Sequence, residues 1–178
     1  MTTPIAWHSL RTDRMATTPS HEWEIINRAR ENVPVDVMAV ALALGVHIRV
    51  AFLDPAVSGM IEKSGQKFVI TVNHQDAPVR RRFTIAHELG HYMLHRHLIG
   101  DGLDDDRAYR STNVGKYHNT KVGPREETEA NRFAANLLMP KELVERERAR
   151  LFDSVADMAA LFGVSEHAMS IRMGIDGF

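Results

Sequence analysis

The chain has 178 residues, with 22 Lys and Arg against 23 Asp and Glu and a formal charge of -1 near neutrality. That length suits one sizeable core, or a core with a small appended module, and excludes two large domains. The charge excludes a global positive field that would gather nucleic acid. There is no cysteine, so disulfides, thiolate ligands and a cysteine nucleophile are excluded together, and any metal site must use His, Asp or Glu.

Residues 1–20 are rich in Thr, Ser and Pro without sustained periodicity and are expected to form a mobile arm. A short helix is expected over His21–Arg30. A second is expected over Val35–Leu44, where alanine and leucine dominate and Gly45 is placed to stop it. Val46–Val50 alternates apolar and polar residues as a half-buried strand should, and Ser58–Ile61 and Lys67–Val72 are two further strand candidates. After the turn marked by Asn73, Asp76 and Pro78, a long helix is expected over Val79–His95. Residues 98–123 then lack periodicity, a length that points to a lid or exchangeable segment. Pro124 starts a helix that Pro140 interrupts, and shorter helices are expected over Glu142–Arg150, Ser154–Leu161 and Glu166–Met173. The last two form a candidate helix-turn-helix. The pattern predicts an α+β fold, a small, mainly antiparallel sheet against helices, with a core over residues 21–140 and a helical extension over 141–178. No stretch reaches the roughly 18 apolar residues of a membrane span, and no basic N-terminal segment precedes a compact apolar core. Cytoplasmic residence is expected, while the oligomeric state is left open.

The strongest local signal is His87-Glu88-Leu89-Gly90-His91, an HExxH motif within an apolar helical pattern. Positions four apart share a helix face, so both imidazoles can reach one ion, while Glu88 stands beside His87 to serve a water molecule. Glu127 is the best third ligand. It shares a face with Asn131 at i,i+4, which places Asn131 to accept from the outer nitrogen of a ligand histidine and fix its tautomer. Glu126 and Glu129 are alternatives, the latter about 200° around the helix from Glu127. His97 reproduces the third histidine of the metzincin spacing. Leu94, however, stands where those proteins place the glycine that lets the chain leave the helix, so His97 is the weaker ligand. His95 is expected at the surface or behind the ligands.

The segments RFTIAHELGHYMLH (residues 82–95) and ETEANRFAANLLMP (residues 127–140) closely resemble the ImmA/IrrE metallopeptidases, and the resemblance extends over residues 21–173. It implies a zincin-type metal helix, zinc held by His87, His91 and Glu127 with manganese as a substitute, Glu88 as general base and Asn131 behind the ligands. It also implies an intracellular protease that cuts a helix-turn-helix repressor to release a stress or excision programme.

Zinc lowers the pKa of a bound water toward about 7, and Glu88 is positioned to take its proton. Tyr109, Tyr117 and His118 in the central segment are candidates to share the developing negative charge. An edge of the Lys67–Val72 strand is a candidate to pair with an extended substrate. Competing readings are a catalytically silent interaction module and a metal-stabilised DNA-binding regulator. The sequence argues against direct DNA contact, because residues 165–172 carry one Arg and an acidic residue on the reading helix. Arg80–Arg82 and Asp104–Asp106 are most simply solvated charge.

Overall fold

The computed structural model describes residues 19–100, the backbone of 109–110, and residues 122–150 and 154–175. The N-terminal arm expected over residues 1–20 falls almost wholly outside them, as do Tyr117, His118 and Asp104–Asp106. Two helices come first, α1 (Pro19–Ala29) and α2 (Val37–Ala43). The second begins two residues later than expected because Asp36 acts as its N-cap, accepting from the backbone N–H groups of Met38 and Ala39 at 3.0 Å.

Three strands follow, β1 (Val46–Ala51), β2 (Gly59–Ser64) and β3 (Lys67–Asn73), and a two-residue strand, β4 (Tyr109–Arg110), completes a mixed sheet of order β1-β3-β2-β4. β1 runs parallel to β3, and β2 is antiparallel to both β3 and β4. The second half of β3, from Ile70 to Asn73, is buried throughout, as suits a strand with neighbours on both sides. Both edges of β3 are therefore taken, so it cannot add a substrate strand as the sequence had suggested. The buried Asn73 then ties down the β1–β2 connection, its Nδ2 donating to Val57 O at 2.8 Å and Asp54 O at 3.2 Å.

The long helix α3 (Pro78–Leu94) lies against the sheet, and α4 (Pro124–Leu138) packs against it more extensively than any other helix. Pro78 and Pro124 each sit in the first turn of their helices, where a missing N–H costs nothing. Two glycines set how closely the elements approach. A Cβ on Gly59 would collide with Thr84 of α3, and a Cβ on Gly90 would stand 3.1 Å from the Cα and O of Ala130 on α4. Gly90 thus lets the two helix backbones approach at the point of contact. The core on both sides includes Ile61, Ile70, Leu89, Leu137 and Leu138.

Three short helices close the described chain: α5 (Lys141–Arg150), α6 (Val155–Phe162) and α7 (Glu166–Met173). Ser154 and Ser165 cap α6 and α7, and Gly163 turns between them at φ 64°. Arg82 of α3 fastens that turn, its Nε donating to Gly163 O at 3.0 Å and its Nη2 to Val35 O at 2.9 Å. Arg82 is therefore an internal clamp rather than solvated charge. No helix among the described residues is long and apolar enough to cross a membrane.

Candidate metal centre

On α3 the HExxH residues are almost fully enclosed: His87 is 4 %, Glu88 0 % and His91 1 % exposed. The Nε2 atoms of His87 and His91 stand 2.9 Å apart. Glu127, reaching across from α4, brings Oε2 to 3.4 Å from His87 Nε2 and Oε1 to 3.9 Å from His91 Nε2. These three residues form the cluster that can hold a metal ion among the described residues, with ligand atoms all within 4.8 Å of one another. Zinc takes such donors at about 2.0–2.2 Å, which at tetrahedral angles separates neighbouring donors by about 3.3–3.6 Å. The observed spacings straddle that range.

The outer nitrogens show why a cation belongs there. His87 Nδ1 lies 2.9 Å from Asn131 Oδ1. An amide oxygen can only accept, so the proton is on Nδ1 and the lone pair of Nε2 faces the cluster. His91 is oriented by a longer chain that the sequence did not reveal. Its Nδ1 meets His95 Nδ1 at 3.1 Å, His95 Nε2 meets Glu129 Oε2 at 3.0 Å, and Arg125 Nε donates to Glu129 Oε1 at 2.9 Å. The carboxylate accepts from His95 Nε2–H, which leaves His95 Nδ1 to accept from His91 Nδ1–H and again frees the inner Nε2. Two lone pairs and a carboxylate therefore converge, a set that demands positive charge.

The proton affinities follow the same logic. Burial works against the charged form of His87, but the hydrogen bond that the protonated ring gives to Glu127 and the charges of Glu88 and Glu127 outweigh it, so its pKa stands above the ordinary value and a proton, like a metal ion, is favoured at Nε2. His91, held back by burial and by the neighbouring His87 and His95, is pushed down to about 2. Its ring is neutral, the form that binds metals.

The three glutamates at the start of α4 divide into separate tasks. Glu126 folds back to accept from the Gly123 N–H at 2.8 Å and caps the helix. Glu127 faces the histidines, and Glu129 holds His95. His95 is buried, whereas His97 is exposed on a single 3-10 turn over Arg96–Leu98. α3 ends at Leu94 with His95 as its C-cap, one residue short of the expected end, and His97 lies outside the cluster. Sequence reasoning allowed His95 a place behind the ligands but missed its link to Glu129, because that partner stands on a different helix. The signal was present in the repeated four-residue step from His87 to His91 to His95. Tyr109 lies in β4, opposite Ile61 of β2, and its side chain, like Tyr117 and His118, is outside the described residues.

A mixed sheet packed on a helix that presents two histidines, with a glutamate from the next helix, defines a metallopeptidase domain of the zincin type. Residues 41–173 match the family described as the IrrE N-terminal-like domain, peptidase M78, and the chain belongs to that family. It is 38 % identical over 77 residues to the radiation response metalloprotease IrrE of Deinococcus deserti, a match covering 43 % of this chain and 24 % of the relative. The matched segment thus spans about a quarter of that curated relative's length. In fold it is similar to a Mycobacterium tuberculosis transcriptional regulator, with a TM-score of 0.58 at 17 % identity over 88 % of this chain and 46 % of the other.

Proposed function

We propose that this chain is a zinc-dependent endopeptidase in which His87, His91 and Glu127 hold the ion and Glu88 is the general base. Zinc would supply Lewis acidity and a water whose pKa is lowered toward about 7. Glu88 lies next to His87 on α3, fully buried and near enough for its charge to act on that ring. There it takes the proton of the attacking water and returns it to the departing amine. Asn131 and the His95–Glu129 pair keep the two imidazoles in the tautomer that presents Nε2. Tyr109, Tyr117 and His118 are the candidates for a further donor at the carbonyl oxygen. The observation that carries this reading is the convergence of the two Nε2 atoms and the Glu127 carboxylate beside a buried glutamate.

The family's IrrE relative is a radiation response metalloprotease, which supports a regulatory rather than a digestive role. The proposed substrate is a helix-turn-helix repressor, cut at a linker or helix end so that DNA binding is parted from dimerisation, inside the cytoplasm. Incubating zinc- or manganese-loaded protein with candidate repressors, casein and unrelated DNA-binding proteins, and mapping products by mass spectrometry, tests this. One dominant repressor cut, abolished by chelator and by Glu88→Gln, is expected. Tight repressor binding without any cut would instead favour an interaction module.

A further inference from the structure

Beside His87 and Glu127 opens a cavity of about 540 Å³, within the range of ligand-binding clefts. One wall is the first part of α3, with Val79, Phe83 and Thr84; the opposite wall is the turn into α7, with Val164 and Ala168. The polar groups at its edge are engaged within the protein. Arg80 Nε donates to Ser58 Oγ at 2.9 Å, Thr84 Oγ1 donates to Arg80 O at 3.0 Å, and Ser165 Oγ accepts from the Ala168 N–H at 3.2 Å. What the cavity offers a ligand is therefore mainly apolar surface, with His87, Glu127 and Asn131 at one end. The wall from α7 is also firm, because Arg82 fastens Gly163 and the side chains beneath it, Phe162 and Met169, are fully buried.

Resting on the peptidase reading above, we propose that this cavity is the specificity subsite of the metal centre. It receives a large apolar side chain, of Leu, Met or Phe size, from a substrate residue flanking the scissile bond. An extended peptide advances about 3.3–3.6 Å per residue, so a carbonyl held at the ligand cluster places a flanking side chain at this opening. The α6–α7 pair, which has the outline of a DNA-reading motif, thereby acts as a wall of the substrate cleft.

The test digests a proteome-derived peptide mixture with the zinc-loaded protein and reads residue preferences around the cuts. Leu, Met and Phe should be enriched at one flanking position. Ala168→Trp, which fills the cavity, should shift that position to Gly, Ala and Ser and lower kcat/KM for apolar peptides by about 10- to 100-fold, with zinc stoichiometry unchanged. Should that variant fold poorly, Val79→Asp lies on the exposed first turn of α3, where an acidic residue suits the helix, and should move the preference toward Lys and Arg. A second arm measures binding of hexapeptides centred on Leu, Phe or Gly to the zinc-loaded Glu88→Gln protein by calorimetry, and needs no turnover. Cutting without a positional preference, or with one that neither variant moves, would overturn the subsite and leave the peptidase standing. If no peptide is cut, the calorimetric arm decides the cavity, since equal affinity for all three peptides would overturn it, and the repressor digestion above decides the peptidase reading separately.

Discussion

The protein contains two helix pairs that each turn on a glycine, and they use it in opposite ways. Between α3 and α4 the glycine is at mid-helix, where Gly90 removes the side chain that would hold Ala130 away, and the close crossing brings histidines and glutamates of two helices into one cluster. Between α6 and α7 the glycine is in the connection, at φ 64°, and what it brings together is shape: Val164 and Ala168 along a cavity wall. The first pair carries chemistry and depends on individual atoms. The second carries a surface and depends on volume. Substitutions in the first should therefore appear in metal affinity, and substitutions in the second in stability and substrate choice.

The sharpest break of that comparison is the loss of a ligand. His91→Ala or Glu127→Ala is expected to abolish stoichiometric zinc binding, measured by metal analysis of the folded variants, whereas Glu88→Gln should keep the metal and lose turnover by about 10²- to 10⁴-fold. Full zinc content in Glu127→Ala would remove that residue from the cluster. Gly90→Val comes next. Forcing α3 and α4 apart should destabilise the fold by about 1–3 kcal/mol and weaken zinc binding as well, read by thermal melts with and without metal. A variant equally tight for zinc would show that the crossing is looser than the 3.1 Å approach indicates.

Smaller effects separate the two orienting arms. His95→Ala and Asn131→Ala should each weaken zinc affinity by about 10- to 100-fold in competition titrations with a chelating dye, and Glu129→Gln less, because His95 then keeps an oxygen that can accept. Unchanged affinity in both alanine variants would mean that the imidazoles need no outer partner. The smallest expected change is in the second pair. Gly163→Ala places a side chain in the left-handed region, at about 1–2 kcal/mol, and 3.1 Å from Arg82 Nε, so Tm should fall while zinc affinity stays at the parent value. Weakened zinc binding there would couple the two pairs and dissolve the distinction.

Much of this was legible in the sequence because the relevant signals were local. HExxH fixes its own geometry once it is helical, Pro124 announces the helix that carries Glu127, and Gly45 marks a helix end. The mixed sheet was harder to read, since strand composition carries no direction. The parallel pairing of β1 with β3 and the enclosure of β3 are set by the chain's path. Arg82 shows the same limit, reading as one of three solvated cations although it spans from α3 to Val35 and Gly163. The His91–His95–Glu129 link needed both the end of α3 and the flank of α4 in space, and neither helix shows it alone.

The contacts that α4 makes with α3 also have a metrical consequence. Glu127 meets His87 and His91, Glu129 meets His95, and Asn131 meets His87. These contacts work like the teeth of a key cut at alternate positions. Sliding α4 by one residue would mismatch every tooth together, so the helix has one alignment that satisfies them all. Its position along α3 is thereby specified by side-chain chemistry rather than by the number of residues joining the two helices. A single insertion between residues 127 and 131 would therefore be expected to dismantle the centre.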